Sequence, residues 1–327
     1  MPATTECCVD TLKKLDLAVG VEPRLLGAGS FSRVWRAWDR KTEQYTAVLM
    51  IDQDETPEPV KKKHLPRQLA LMMMLEHPNL IHTLRTHTEG KWVVVVEEYA
   101  SNGTLLDKLN REQGILDKEA RFHFRQLIEG IHYLHTQFVV HRDIKADNIL
   151  LDKYGNVKLA DLGFARILLP EEDSVTWCGS AIYAPPELMT NSPYQGFSCD
   201  IFSAGVVLYS ILTACLPFKG PEDPLDTDKK LSHTIVYPQR PFVCKEARQL
   251  ISRLLDPRPD KRPDYNEIIE SAWLKDTAWS MITPQGVTQH TQTHPTPTQD
   301  RASGHRSKSP ADRTDQTLLI ETRTFSY

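Results

Sequence analysis

The chain has 327 residues, 40% of them hydrophobic and 25% charged, which suits a folded protein with room for two lobes and a cleft between them. A formal net charge of -4 argues against a general nucleic-acid binder and against recruitment to an anionic membrane by bulk charge; the run Lys61, Lys62, Lys63 is too short to change that. Six cysteines without a CxxC pair suggest neither a disulfide framework nor a zinc site, so reduced thiols in the cytoplasm, or the nucleus, are the expectation.

Residues 1–20 read as a short lead-in, with Cys7 and Cys8 as an incidental pair in a loose arm. The opening "MPATTECCVD" lacks the basic region and apolar core of a secretory signal, and Pro2 excludes myristoylation. From 21 to 100 the pattern favours strands. "RLLGAGSFSRVWRAWDR" is two short runs about a Gly-Ser turn, and "QYTAVLMI" and "KWVVVVEEY" are apolar, β-branched and bounded by polar residues. Between the last two, "VKKKHLPRQLALMMMLEH" reads as one helix with Pro66 as a local blemish; His64, Gln68 and Met72 share a face.

From about Gly103 the character turns helical. "DKEARFHFRQLIEGIHYLHTQ" and "CDIFSAGVVLYSILTACL" suit buried helices, though no segment is expected to reach the apolar length that spans a bilayer. "NILLDKYGNVKLADLG" alternates as a hairpin turning at Tyr154-Gly155-Asn156. "KEARQLISRLL" and "YNEIIESAWL" are helical again, and residues 275–327 are too rich in Thr, Gln, His, Pro and Ser to build a core, so a disordered polar tail is expected there. Within it, "SKSP" offers Ser309 as a proline-directed phosphosite, a motif that arises often by chance in polar tails.

The chemistry-bearing motifs lie near the junction of the two halves. "GAGSFSRV" supplies Gly27 and Gly29, which would let backbone amides approach phosphates, but Ser32 stands where a third glycine would complete GxGxxG. "HRDIKADN" supplies His141, Arg142, Asp143 and Asn148; "DLG" follows at Asp161, and "APPE" ends at Glu187. Four such motifs in this order are very rare by chance. Together they make residues 21–274 resemble a eukaryotic protein kinase domain. "LPRQLALMMML", "VVHRDIKADNILLDKYGNVKLADLGFAR" and "WCGSAIYAPPEL" are most similar to the testis-specific serine/threonine kinase family.

The resemblance implies an α+β bilobal fold: a β-rich small lobe, 21–100, with one helix, and a mainly helical large lobe, 101–274. It implies ATP and Mg²⁺ as cofactors, with Asp143 taking or orienting the substrate hydroxyl proton, Lys145 steadying the γ-phosphate, and Asn148 and Asp161 as metal ligands. Val34, Ala47 and Leu150 would sandwich the adenine, beside a hinge of Glu98, Tyr99 and Ala100. Arg142 would pair with a phosphate on Thr176, or on Ser174 as the second choice, with His64 placed to touch it. Glu187 with Arg262 would brace the large lobe, and Asp200 would anchor its central helix. The partners implied are a protein substrate or a partner kinase, with heat-shock chaperones beside them; testis expression and a role in spermatogenesis are implied by the subfamily alone.

Three positions depart from that pattern. The lysine that should hold the α- and β-phosphates is Leu49, the helix glutamate that should hold that lysine is Gln68, and Glu97 stands at the back of the pocket, where an apolar or hydroxyl residue is usual. The registers from Gly27 to 49 and from 49 to 68 need no gap. Loss of one preorganised donor costs about 10²–10³-fold in rate, and an unpaired buried carboxylate adds strain. Ser32 carries no charge, Arg33 alternates away from the face of Val34, Arg36 lies two residues on, and Lys61 is about 10 Å along the helix from Gln68. None replaces the lysine. The expectation is that the Gln68 amide donates to Glu97 while Leu49 packs between them. Three readings follow: a serine/threonine kinase with a compromised phosphate grip, a pseudokinase acting as scaffold or allosteric partner, and a nucleotide sensor that binds without transfer.

Overall fold

In the computed structural model the residues described are 3–20, 24–169, 172–174, 178–190, 194–219 and 226–290. The first half builds one antiparallel sheet from β1 (Leu17–Ala18), β2 (Arg24–Ala28), β3 (Ser32–Asp39), β4 (Gln44–Asp52), β5 (Thr83–Glu89) and β6 (Trp92–Glu98). The order is β1-β3-β4-β6-β5, with β2 also on β3. β4 and β6 read as continuous apolar runs because both faces of the sheet are covered. Side chains alternate between the faces: Trp35, Val48, Met50, Val94 and Val96 point one way, and Val34, Ala47, Leu49, Val93 and Val95 the other.

The outer face is covered by α1 (Ala3–Lys14), which buries Cys8 and Leu12 against Trp35 and Trp92. The loose arm expected at the N-terminus is therefore a packed helix. Its apolar residues at 8, 9 and 12 form one short stripe, and without it the outer face would be wet. Cys8 is fully buried, whereas Cys7 is exposed.

The inner face packs against α2 (Leu65–Met74), which buries Leu65, Leu71 and Met72. The single helix expected from 60 to 77 is divided here. Residues Val60–His64 form a wider π-helical turn, and Pro66 sits in the first turn of α2. Proline lacks an N–H and its ring crowds the carbonyl four residues earlier, so it suits a helix start and breaks a helix interior.

The large lobe is built on α3 (Leu105–Glu112), α4 (Asp117–Thr136), α5 (Gly196–Thr213), α6 (Asp226–Leu231), α7 (Lys245–Leu254) and α8 (Tyr265–Ile269). Thr104 and Asp107 cap α3 reciprocally, each side chain accepting the other's backbone N–H. Contrary to the sequence expectation, α5 is long and apolar enough to cross a membrane by length and composition, but 78% of it is buried inside the lobe. It packs with α4 and α7 around Phe124, Phe202, Ile251 and Trp273. Two small antiparallel pairs lie between α4 and α5 in the chain: β8 (Ile149–Leu151) with β9 (Val157–Leu159), a hairpin, is enclosed in sequence by β7 (Val139–Val140) with β10 (Arg166–Ile167). The β8–β9 hairpin turns where expected: Asp152 accepts from the N–H groups of Tyr154 and Asn156, and Gly155 takes a φ of 84°.

The disorder expected from 275 fails for the first part of that segment. Residues Ser280–Thr283 (β11) and Gly286–Gln289 (β12) form a hairpin. Trp279 Nε1 donates to Asn79 Oδ1 at 2.9 Å, Asn156 exchanges two hydrogen bonds with the backbone of Ile282, each 2.8 Å, and Gln126 Nε2 donates to the Ser280 carbonyl at 2.6 Å. The His77 ring is sandwiched between Tyr133, at 5.0 Å, and Trp279, at 5.3 Å. The island "WSMI" buries Trp279 and Met281, enough apolar surface to hold a short polar hairpin in place. Residues 291–327, Ser309 among them, lie outside the described residues.

Candidate active site

Asp200, near the start of α5, organises the loop that carries the chemistry. Its carboxylate accepts from the backbone N–H groups of His141 and Arg142, each at 2.8 Å, and from His135 Nε2 at 3.0 Å. Burial alone would push its pKa up, but the His135 hydrogen bond and the other donors hold it down. That grip keeps Arg142 at a φ of 66°, a left-handed conformation costly for a residue with a Cβ. Asp143 is consequently aimed into the cleft. Oδ1 accepts from Ser180 N and Ser180 Oγ, both at 2.9 Å; Oδ2 meets Lys145 Nζ at 2.8 Å and Asn148 Nδ2 at 3.0 Å. Lys145 Nζ also donates to Ser180 Oγ at 3.1 Å. The approach of Ser180 depends on Gly179, whose φ is 88° and whose added Cβ would lie 2.3 Å from the Arg142 carbonyl.

Asn148 is fully buried, and its Oδ1 has no partner. Asp161, at a φ of 65°, accepts from Gly163 N at 3.0 Å through Oδ1; burial and then the Asp143 charge push its pKa up. An orphaned amide oxygen beside two crowded carboxylates is a donor set that fits a hard divalent cation.

The open part of the cleft, about 590 Å³ of space continuous with solvent, is lined by Leu26, Ala47, Glu97, Ala100, Leu150 and Ala160, among others. Glu98 lines it too, and its carboxylate ties the hinge down by accepting from His82 N at 2.9 Å and Lys158 Nζ at 2.8 Å. Gly27, Gly29 and Val34 are not among the lining residues. Gly29 N donates to the Ser32 carbonyl in a tight turn, and Val34 pairs directly with Leu49 across β3 and β4.

A family model described as the protein kinase domain matches residues 21–274. This chain belongs to the protein kinase family. It is 33% identical over 274 residues to testis-specific serine/threonine-protein kinase 1 of Mus musculus, covering 82% of this chain and 74% of that one. It is 34% identical over 252 residues to serine/threonine-protein kinase SIK2 of Gallus gallus, covering 77% and 31%, and 32% identical over 249 residues to NUAK family SNF1-like kinase 1 of Mus musculus, covering 76% and 37%. The likeness to the testis-specific kinases thus stands beside likenesses of the same size to other serine/threonine kinases, and the chain spans only about a third of the length of several of these relatives.

As a kinase the site is uneven. Asp143, Lys145, Asn148 and Asp161 come together. The phosphate end of the cleft does not resemble a phosphate site. Leu49 lies in an apolar cluster with Val34, Ile51, Leu65, Met72 and Val95, against which Phe31 and Leu162 also pack. The expected Gln68–Glu97 hydrogen bond is absent among the described residues. The Gln68 amide instead lies over Gly163, with Nε2 3.8 Å from where a Cβ would stand, while Leu49 packs into the apolar cluster with Leu65 and Met72. Glu97 is only 6% exposed, and burial, then the Asp161 and Glu98 charges, push its pKa up to about 8. Arg36 is no substitute for the lysine: its guanidinium stacks on Tyr45 at 4.7 Å. Lys61 donates to the Gln53 carbonyl at 3.4 Å.

Thr176 lies outside the described residues. Ser174 is fully buried, exchanges backbone hydrogen bonds with Tyr194, and accepts from Arg142 Nη1 at 3.4 Å through its Oγ. His64 Nδ1 lies 3.3 Å from Arg67 Nη2. Arg67 itself was invisible to motif reading. Its pKa is pushed down by burial and by the charges of Arg142 and Arg166, so three guanidinium groups converge there, and Arg67 Nε is buried without a partner. The only signals were an arginine beside Gln68 and another closing "GFAR". Glu187 and Arg262 form the expected pair, bidentate at 2.5 and 2.8 Å.

Proposed function

We propose that this chain is a slow protein serine/threonine kinase whose metal and proton machinery is assembled and whose phosphate grip is missing. The observation that carries the reading is the closed network of Asp143, Lys145, Asn148 and Ser180. A polar cluster of this density in a buried loop is costly to maintain. Asp143 would accept the proton of a substrate hydroxyl that displaces Ser180 Oγ, and Lys145, two residues on, would meet the charge that develops on the transferred group. Asn148 Oδ1 and the Asp161 carboxylate would hold a divalent ion, Mg²⁺ in this proposal. Such an ion would offset the phosphate charges that no side chain at position 49 can meet. The three converging arginines suit a phosphate on the loop that contains Thr176. Protein hydroxyls are the substrate class, and the cytoplasm is the proposed location.

One observation favours a second reading, a pseudokinase that scaffolds a partner: the lysine position is part of an apolar cluster. Radiolabelled phosphate transfer separates the two. The enzyme reading expects slow incorporation that Asp143→Asn abolishes. Incorporation equal in wild type and Asp143→Asn, or none in either, leaves the scaffold.

A further inference from the structure

The sheet carries an aromatic and basic surface that phosphoryl transfer does not use. Strand alternation sets Arg36 and Trp38 of β3 on the face of Val34, and Tyr45 of β4 on the face of Ala47. The register pairs Trp38 directly with Tyr45, and Arg36 with Arg24 of β2. Trp38 and Tyr45 lie past the apolar cluster that packs under α2, and they are 38% and 51% exposed. Their rings meet edge to face, with centroids 5.1 Å apart and 78° between the planes. The Arg36 guanidinium lies 4.7 Å from the centre of the Tyr45 ring. Each of these side chains is braced by another, so little rotamer freedom is left to lose when a partner arrives.

The charge of this surface is opposite in sign to that of the chain. Arg24 and Arg36 stand side by side on neighbouring strands, and Arg40 and Lys41 follow in the β3–β4 turn. None of the four forms an ion pair among the described residues. Asp39 is buried and taken by Arg85, which leaves Glu43 as the free acid of the turn. A single exposed Trp needs no explanation. Exposed Trp, Tyr and Arg side chains already packed on one another have the composition of the energetic centre of a protein interface.

We propose that this surface of β2, β3 and β4 docks an acidic segment of a partner protein, whose carboxylates pair with Arg24 and Arg36 while an aromatic side chain packs on Trp38 and Tyr45. The guanidinium fork matches a carboxylate in two hydrogen bonds. Exposed ion pairs are weak by themselves, so the rings supply the affinity and the arginines the orientation and the rate of encounter. Single-stranded nucleic acid is the other polyanion that rings and arginines hold, by stacking its bases. Here Arg36 already covers one face of Tyr45 and Trp38 stands across it, so no two parallel rings clamp a base. The site is separate from the cleft chemistry, although Arg24 also lines the cleft mouth, and it holds whether or not the chain transfers phosphate.

Fluorescence anisotropy with the full chain, without nucleotide, tests the proposal. The labelled probes are poly-glutamate, a random glutamate–tyrosine copolymer and oligothymidylate, matched in length. The copolymer is expected to bind about tenfold or more tighter than poly-glutamate, and Trp38→Ala and Arg24→Glu are each expected to weaken it by about tenfold. Lys63→Glu, which removes an exposed cation from the turn before α2, is expected to change it by less than about threefold. Equal binding of copolymer and poly-glutamate, or an equal loss in Lys63→Glu and Arg24→Glu, shows general charge attraction and overturns the proposal. Tighter binding of oligothymidylate than of the copolymer overturns it in favour of nucleic acid, and no binding of the copolymer overturns it outright. Should Trp38→Ala fail to fold, Arg24→Glu, at an exposed position, still decides.

Discussion

At position 97 a largely buried carboxyl lines the cleft, and its titration should be visible in stability. Its folded-state pKa is pushed up to about 8, whereas an unfolded glutamate titrates near 4.3. The folded state therefore holds the extra proton between those values. The stabilising contribution is complete below the unfolded pKa and is lost as pH rises toward 8, by up to about 1.4 kcal/mol per pH unit. Urea midpoints from pH 5 to 9 should show wild type losing ground steadily to Glu97→Gln across that window and no further change above it. A constant difference would mean that Glu97 is not buried as an acid. Leu49 makes the complementary case. Leu49→Lys alone places an ammonium among Val34, Leu65 and Met72, and its melting temperature should fall. Combined with Gln68→Glu and Glu97→Met, the same lysine gains a partner and loses a competing acid, and phosphate transfer should rise by about 10²–10³-fold. If the triple variant is no faster than wild type, the lesion lies elsewhere.

Among the elements, α1 and the β11–β12 hairpin lie where a loose arm and a disordered tail were expected, and both are held by a few large side chains. Cys8 and Leu12 fix α1 to the outer face of the sheet. Trp279 fixes the hairpin by stacking on His77 and donating to Asn79. Trp279→Ala should cost about 3–5 kcal/mol and Leu12→Ala about 2–5 kcal/mol in denaturant unfolding. Losses below about 1 kcal/mol would show that these elements sit on the surface without holding it. The hairpin also bears on α2. Asn79 and His77 lie just beyond the C-terminal end of α2, so Trp279, Gln126 and Asn156 tie that end to the large lobe.

For the molecule as a whole, the sheet carries one apolar cluster on either face, and the cluster around α4 and α5 also takes in Leu71 and Leu75 from α2 and its end, and Leu80 beyond them. Leu162 packs against both the large-lobe cluster and the inner face, and the hairpin adds a second link. Deleting residues 277–290 should therefore split thermal unfolding into two calorimetric transitions, with the small lobe melting first; a single transition at a lower temperature would show that Leu162 and the packing of Leu71, Leu75 and Leu80 suffice to couple the lobes. The sequence by itself determined the family, the two lobes and the identities of Asp143, Asn148, Asp161, Glu187 and Arg262, because chemistry fixes those residue types at fixed spacing along one loop or one ion pair. It also marked Leu49, Gln68 and Glu97 as departures, since the strand and helix registers carry no gap. Only the tertiary structure decided what those departures do. Whether Gln68 reaches Glu97, whether Arg67 meets Arg142 and Arg166, and whether a Trp in a polar tail finds His77 all depend on distances between elements far apart in the chain. Packing of large side chains sets those distances, and neither periodicity nor spacing encodes them.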